Sequence, residues 1–166
     1  MAATTSSGKA AVTLPKDNQL LITREFDAPK HLVWKAWTTP ELVKRWWSGQ
    51  RGETISAEID LRVGGRWRYV MLAGEERFEV AFHGEYREII ENERLVSTEV
   101  FEGIPDAEEH ASVNTLTLSE SDGRTTMEIL CEYRSEEDRD AVIASGMEGG
   151  MQESFDLLEE VAISLG

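Results

Sequence analysis

Residues 19–47 read QLLITREFDAPKHLVWKAWTTPELVKRWW, and two hydrophobic periods meet inside that stretch. Leu20, Ile22, Arg24 and Phe26 fall on alternate positions, and the β-branched content around them suits a strand. Asp27 then offers an N-cap and Pro29 a first helical position, after which Leu32, Val33, Ala36 and Trp37 recur at helical spacing. A strand is therefore expected to run straight into an amphipathic helix ending near Thr39. Pro40 opens a second short helix, which ends at Trp47 before the turn at Ser48-Gly49.

Downstream, from Glu53 to Tyr133, the period changes to two. Ile55, Ala57, Ile59 and Leu61 alternate with polar residues, and after Gly64-Gly65 come Trp67, Tyr69 and Met71. Phe78, Val80, Phe82, Gly84 and Tyr86 share one side of the next strand, opposite Glu79, His83, Glu85 and Arg87. Leu95 to Phe101, Val113 to Leu118 and Thr125 to Tyr133 complete about six antiparallel strands after the helix pair. Ser135, followed by Glu136, Glu137 and Asp138, caps a long helix whose stripe of Ala141, Val142, Met147, Met151, Phe155, Leu158, Ala162 and Leu165 is interrupted by Gly146, Gly149 and Gly150. Three glycines so close together predict a break or a tight packing contact.

Upstream, residues 1–18 are small and polar without an apolar face, which predicts a flexible leader ahead of a single domain at 19–166. Seventeen Lys+Arg against thirty-two Asp+Glu give a net charge of −15, so no basic stripe is available for nucleic acid and anionic lipid is repelled. One cysteine, Cys131, excludes an internal disulfide, and neither a secretory signal nor a membrane-spanning run is visible. A cytoplasmic protein is expected.

Most catalytic motifs are absent. His31, His83 and His110 form no metal pattern, Gly64-Gly65-Arg66 lacks the rest of a dinucleotide fingerprint, and no cofactor is expected. Cys131 reads as a small core residue, and Glu99, Glu128 and Glu132 read as members of a solvated sheet face. Five tryptophans, Trp34, Trp37, Trp46, Trp47 and Trp67, lie in the first 67 residues, each either core packing or part of a binding surface. Met147 and Met151 beside the helix glycines either fill a gap or make an adaptable wall. Arg66, Arg68, Glu85 and Tyr86 would form an acid–base set only if a strand bulge turned them inward.

Taken together, Leu20-x-Ile22-x-Arg24-x-Phe26-x-Ala28-Pro29, Val33-Trp34-x-Ala36-Trp37-Thr38-x-Pro40-Glu41-Leu42 and Trp46-Trp47 resemble the opening of an activator-of-heat-shock-ATPase-homologue domain. Gly64-Gly65-x-Trp67-Arg68, Gly84-x-Tyr86-x-Glu88-Ile89, Arg94-Leu95-Val96, Gly146-Met147 and Ser154-x-Asp156-x-Leu158-Glu159 extend the resemblance to residues 19–166. These domains belong to the START-like superfamily, alongside birch-pollen-allergen-like proteins and polyketide cyclases. The resemblance implies an α+β helix-grip fold: a curved, seven-strand antiparallel sheet around a long C-terminal helix, with two short helices closing one end of a hydrophobic cavity. Met151 stands where the family often has tryptophan. Chaperone activators add a separate N-terminal module, for which roughly 18 residues leave no room, so no chaperone role is expected.

The expected function is non-enzymatic binding of an apolar or amphipathic small molecule between sheet and final helix, lined by Trp46, Trp67, Tyr69, Phe78, Phe82, Tyr86, Met147, Met151 and Phe155. Two competitors are a cyclase or dehydratase of aromatic polyketides, using Arg68 or Tyr86 with a pocket carboxylate, and a protein-interaction domain whose acidic surface meets an unidentified basic partner.

Overall fold

The computed structural model describes residues 9–166, so the start of the expected leader, residues 1–8, lies outside the described residues. Along the chain come β1 (Ala11–Thr13), β2 (Gln19–Phe26), α1 (Lys30–Thr38), α2 (Pro40–Trp46), β3 (Gly52–Ile59), β4 (Arg66–Ala73), β5 (Phe78–Ile90) and β6 (Arg94–Phe101). A 3-10 turn (Ala107–His110), β7 (Ser112–Ser121), β8 (Arg124–Glu132), α3 (Glu136–Ala144) and α4 (Met147–Ser164) follow. All strand pairs are antiparallel, and the sheet order is β1-β2-β8-β7-β6-β5-β4-β3. The helix-grip architecture and the six strands after the helix pair match expectation. The eighth strand is β1: Ala11, Val12 and Thr13 pair with Thr23, Ile22 and Leu21, within the segment read as a leader.

Local chemistry explains most element boundaries. Ser135 caps α3 by accepting from the Asp138 N–H at 3.1 Å, and Pro40 stands at the first turn of α2. At α1 the expected cap is displaced: Pro29 takes the N-cap position, and the Lys30 N–H donates to the Glu120 carboxylate of β7 at 2.8 Å. A tertiary carboxylate thus does the work assigned to Asp27, whose own N–H donates to Glu159 at 2.7 Å. The long C-terminal helix breaks at Gly146, where φ is 82°, a left-handed conformation that glycine adopts without a Cβ penalty. Gly149 stays helical beneath Arg51, where a Cβ would come 2.6 Å from Nη2.

The core lies between the concave face of the sheet and α1, α2 and α4. Leu20, Ile22 and Phe26 of β2, Met127 and Ile129 of β8, and Leu116 and Leu118 of β7 meet Phe155, Leu158, Val161 and Ala162 of α4 in one buried cluster. Each large apolar side chain so buried contributes about 1.5–3 kcal/mol. At the sheet rim, the Gln152 side-chain amide of α4 accepts from the Ala10 N–H at 3.0 Å and donates to the Ala10 carbonyl at 2.9 Å. Among the described residues, no helix is long and apolar enough to cross a membrane.

Candidate functional site

Strand alternation carries Trp67 and Tyr69 of β4, Phe82, Gly84 and Tyr86 of β5, and Leu95, Ser97 and Glu99 of β6 onto the concave face. Gly84 is what lets Trp67 lie there. The indole N–H reaches across β5 to the Thr98 carbonyl at 3.2 Å, and a Cβ on Gly84 would meet that carbonyl oxygen at 1.8 Å and the indole nitrogen at 2.5 Å.

The rings named from the sequence divide into two groups. On the sheet side, Tyr69 packs against Trp67 at 4.7 Å, and both Tyr69 and Phe82 pack against Trp47, at 5.4 and 5.6 Å between centroids. On the helix side, Phe155 lies 6.3 Å from Phe26 and 6.2 Å from Trp37, which in turn stands 4.7 Å from Trp46. Trp46 is core: its indole N–H donates to the Ala36 carbonyl at 3.0 Å inside the helix pair. Trp37 has its indole nitrogen buried with no hydrogen-bond acceptor among the described residues. Met151 is buried and Met147 half-buried against the cluster.

Phe78, named with these rings from the sequence, stands apart from them. It is 58% exposed at the outer end of β5, paired across the ladder with Ala73 and beyond the reach of the helices that cover Phe82. Trp47, outside the nine residues named from the sequence, bridges α2 to β4 and β5; its tandem position after Trp46 was the available signal, since consecutive helical residues diverge by about 100° and cannot both serve the same packing face.

Glu99 also departs from expectation. It faces inward rather than toward solvent, because β6 alternates Leu95, Ser97 and Glu99 on the concave side and places Val96, Thr98 and Val100 on the other. Asn114 of β7 donates to Glu99 Oε1 at 2.6 Å. Desolvation pushes the Glu99 carboxyl above its usual value, and the Asn114 hydrogen bond acts in the opposite direction. Tyr69, Cys131 and Tyr133 lie within electrostatic reach of it. Burial raises Tyr69, Tyr86 and Tyr133 above the ordinary phenol range and pushes the Cys131 thiol up to about 12, so each stays protonated at neutral pH.

The proposed set of Arg66, Arg68, Glu85 and Tyr86 is not assembled. A bulge does follow Tyr86, yet Arg68 stays on the outer face of the sheet. There it donates from Nε and Nη2 to Glu102, each at 2.9 Å, while His83 sits 2.7 Å from both Glu102 and Glu108. A recess of about 560 Å³ opens on this side, lined by Glu58, Asp60, Arg66, Arg68, His83 and Glu102 together with Ile59 and Trp67. The acidic loop of residues 103–110, between β6 and β7, is tied to the sheet by Glu108, and to α3 by His110, whose Nδ1 lies 3.0 Å from Asp138. Among the described residues no group of His, Cys, Asp and Glu is arranged to hold a metal ion.

Solved structures resemble nine-tenths or more of the chain. A crystal structure of a Rhodobacter sphaeroides protein shares 24% identity, with 95% of this chain and 100% of that one covered at a TM-score of 0.85, a likeness of fold. A solution structure of an Arthrobacter aurescens protein shares 26% identity over 93% of this chain and 91% of its own, at 0.81. A Mycobacterium smegmatis protein shares 25%, covering 91% and 96%, at 0.78. No curated protein matches. Residues 27–162, from just after β2 into α4, match the family described as Activator of Hsp90 ATPase homolog 1-like protein, and with that span taking in α1, α2, α3, most of α4 and all of β3–β8 the chain belongs to this family.

Proposed function

We propose that the chain binds a small apolar or amphipathic molecule between the concave face of the sheet and α4. The observation that carries this reading is the group Trp47, Tyr69 and Phe82, three rings from α2, β4 and β5 in edge-to-face contact, of which Trp47 and Phe82 remain only half-buried. Half-buried Ser97, Glu99 and Asn114 on the neighbouring strands and Met147 at the start of α4 support it, since fully packed core positions close to zero exposure, as Leu20, Met127 and Leu158 do. Apolar area covered by a ligand contributes about 25 cal/mol per Å² before the cost of association. Naphthalene and the flavanone naringenin, titrated against the full chain, are expected to quench tryptophan emission and raise the melting temperature. If neither ligand moves either signal, the reading fails.

A second reading is favoured by one feature, the desolvated Glu99 beside Tyr69: an enzyme performing acid–base chemistry on an aromatic polyketide. It differs in outcome, because substrate would be consumed rather than recovered unchanged after binding.

A further inference from the structure

Glu99 and Asn114 make a polar spot on an otherwise aromatic and aliphatic concave face. Asn114 Nδ2 engages Oε1 and fixes that oxygen as an acceptor. No hydrogen bond from a described residue reaches Oε2, and the side chain is half-buried. The groups around it, Tyr69, Cys131 and Tyr133, are uncharged at neutral pH and bring no cation. Among the described strand positions on the concave face the one cation is Arg24, and it is committed to Asp156 and Glu159. α4 itself contains no Lys or Arg.

Resting on the binding reading above, we propose that Glu99 is the polar anchor of this site, donating one hydrogen bond from Oε2 to a keto oxygen of an uncharged, flat aromatic ligand, and that the site turns carboxylates away. The donor role is argued from the surroundings: desolvation raises the Glu99 carboxyl and no neighbouring cation favours its ionised form, both of which work toward the protonated acid. The proton then sits on Oε2, because Oε1 already accepts from Asn114. A ligand carboxylate would find neither a counter-charge nor solvent and would carry its full desolvation cost. A keto group, acceptor only, matches the free O–H.

The test is a matched set on the full chain at pH 7, with naphthalene, 2-acetylnaphthalene and 2-naphthoate read by calorimetry and tryptophan quenching. The ketone is expected to bind about tenfold more tightly than naphthalene, as one net hydrogen bond in a dry site would give, and the carboxylate more weakly than either. Glu99→Leu is expected to bring the ketone down to the naphthalene level while leaving naphthalene within about twofold. Glu99→Gln keeps an N–H donor and an acceptor in the same places and is expected to retain most of the ketone preference. Equal binding of ketone and naphthalene, preference for 2-naphthoate, or a Gln variant as poor as Leu overturns the anchor while the site stands. No binding by any of the three overturns the site itself. Should Glu99→Leu fail to fold by circular dichroism, the wild-type panel and the Gln variant decide.

Discussion

The Arg24 guanidinium, wholly buried on β2, lies 2.9 Å from Asp156 and 3.1 Å from Glu159, so α4 is fastened to the sheet by a charge with no access to water. The same guanidinium stands 5.1 Å above the Phe26 ring. Removing Arg24 leaves a cavity under α4 and leaves Glu159, 15% exposed, without its counter-charge. Arg24→Ala is expected to cost about 3–5 kcal/mol in urea unfolding. Asp156 is 54% exposed and Glu159 15%, and Glu159 also accepts from the Asp27 N–H, so Glu159→Gln should destabilise more than Asp156→Asn. The reverse order would contradict this account of the clamp.

Replacing Gly84 by alanine puts a methyl group into the Thr98 carbonyl, a backbone atom that cannot swing aside. The expected loss is at or above the upper end of about 1–3 kcal/mol for overpacking, together with a changed Trp67 emission spectrum. A neutral Gly84→Ala would show that β5 and β6 yield where they are drawn as rigid.

The two indoles at 4.7 Å from one another should respond differently to truncation. Trp46→Phe loses a hydrogen bond to Ala36, whereas Trp37→Phe removes a buried N–H that has no acceptor among the described residues. Trp46→Phe is therefore expected to be more destabilising than Trp37→Phe by about 1 kcal/mol in thermal or urea melts.

The outer cluster should make the acidic loop sensitive to pH. The hydrogen bonds from Arg68, more than desolvation can oppose, lower Glu102 from 4.5 to about 2, with His83 adding in the same direction. A carboxylate lowered in this way stabilises the fold above pH 4.5 and loses that contribution as pH falls towards 2. For His83, desolvation works to lower the imidazole and the hydrogen bonds to Glu102 and Glu108 outweigh it, leaving it above 6.5. Its contribution is complete below pH 6.5 and is lost as pH rises through the raised value. Hydrogen exchange of the 103–110 amides should therefore be slowest, after correction for intrinsic rates, between pH 4.5 and 6.5. His83→Gln should abolish the alkaline limb and Glu102→Gln the acid limb.

What the sequence made legible were the elements whose partners are local or periodic. The strand and helix pair of residues 19–47, the strands of β3–β8, the Ser135 cap and the interruption at Gly146 all follow from spacing, capping or backbone freedom within a few residues. Where the answer depended on a distant residue, the pattern misled. Glu99 belongs to the interior because Ser97 and Glu99 occupy the parity set by Leu95, yet Val96 and Val100 argue for the opposite parity, and only pairing with β5 and β7 decides between them. Phe78 continues the alternation of Phe82 and Tyr86 correctly, but the strand outruns the helices that would cover it. Arg68 is captured by Glu102, 34 positions away, and Ala11–Thr13, too short to show a period, is ordered by β2.

The Gln152 amide gives Ala10 one donor and one acceptor, the pair a neighbouring strand would supply. A helix side chain thus imitates part of a ninth strand at the β1 end of an open sheet, where exposed backbone invites self-association. Loss of that clasp would turn a quiet rim into an adhesive one, and molecules of this chain would begin to zip together edge to edge.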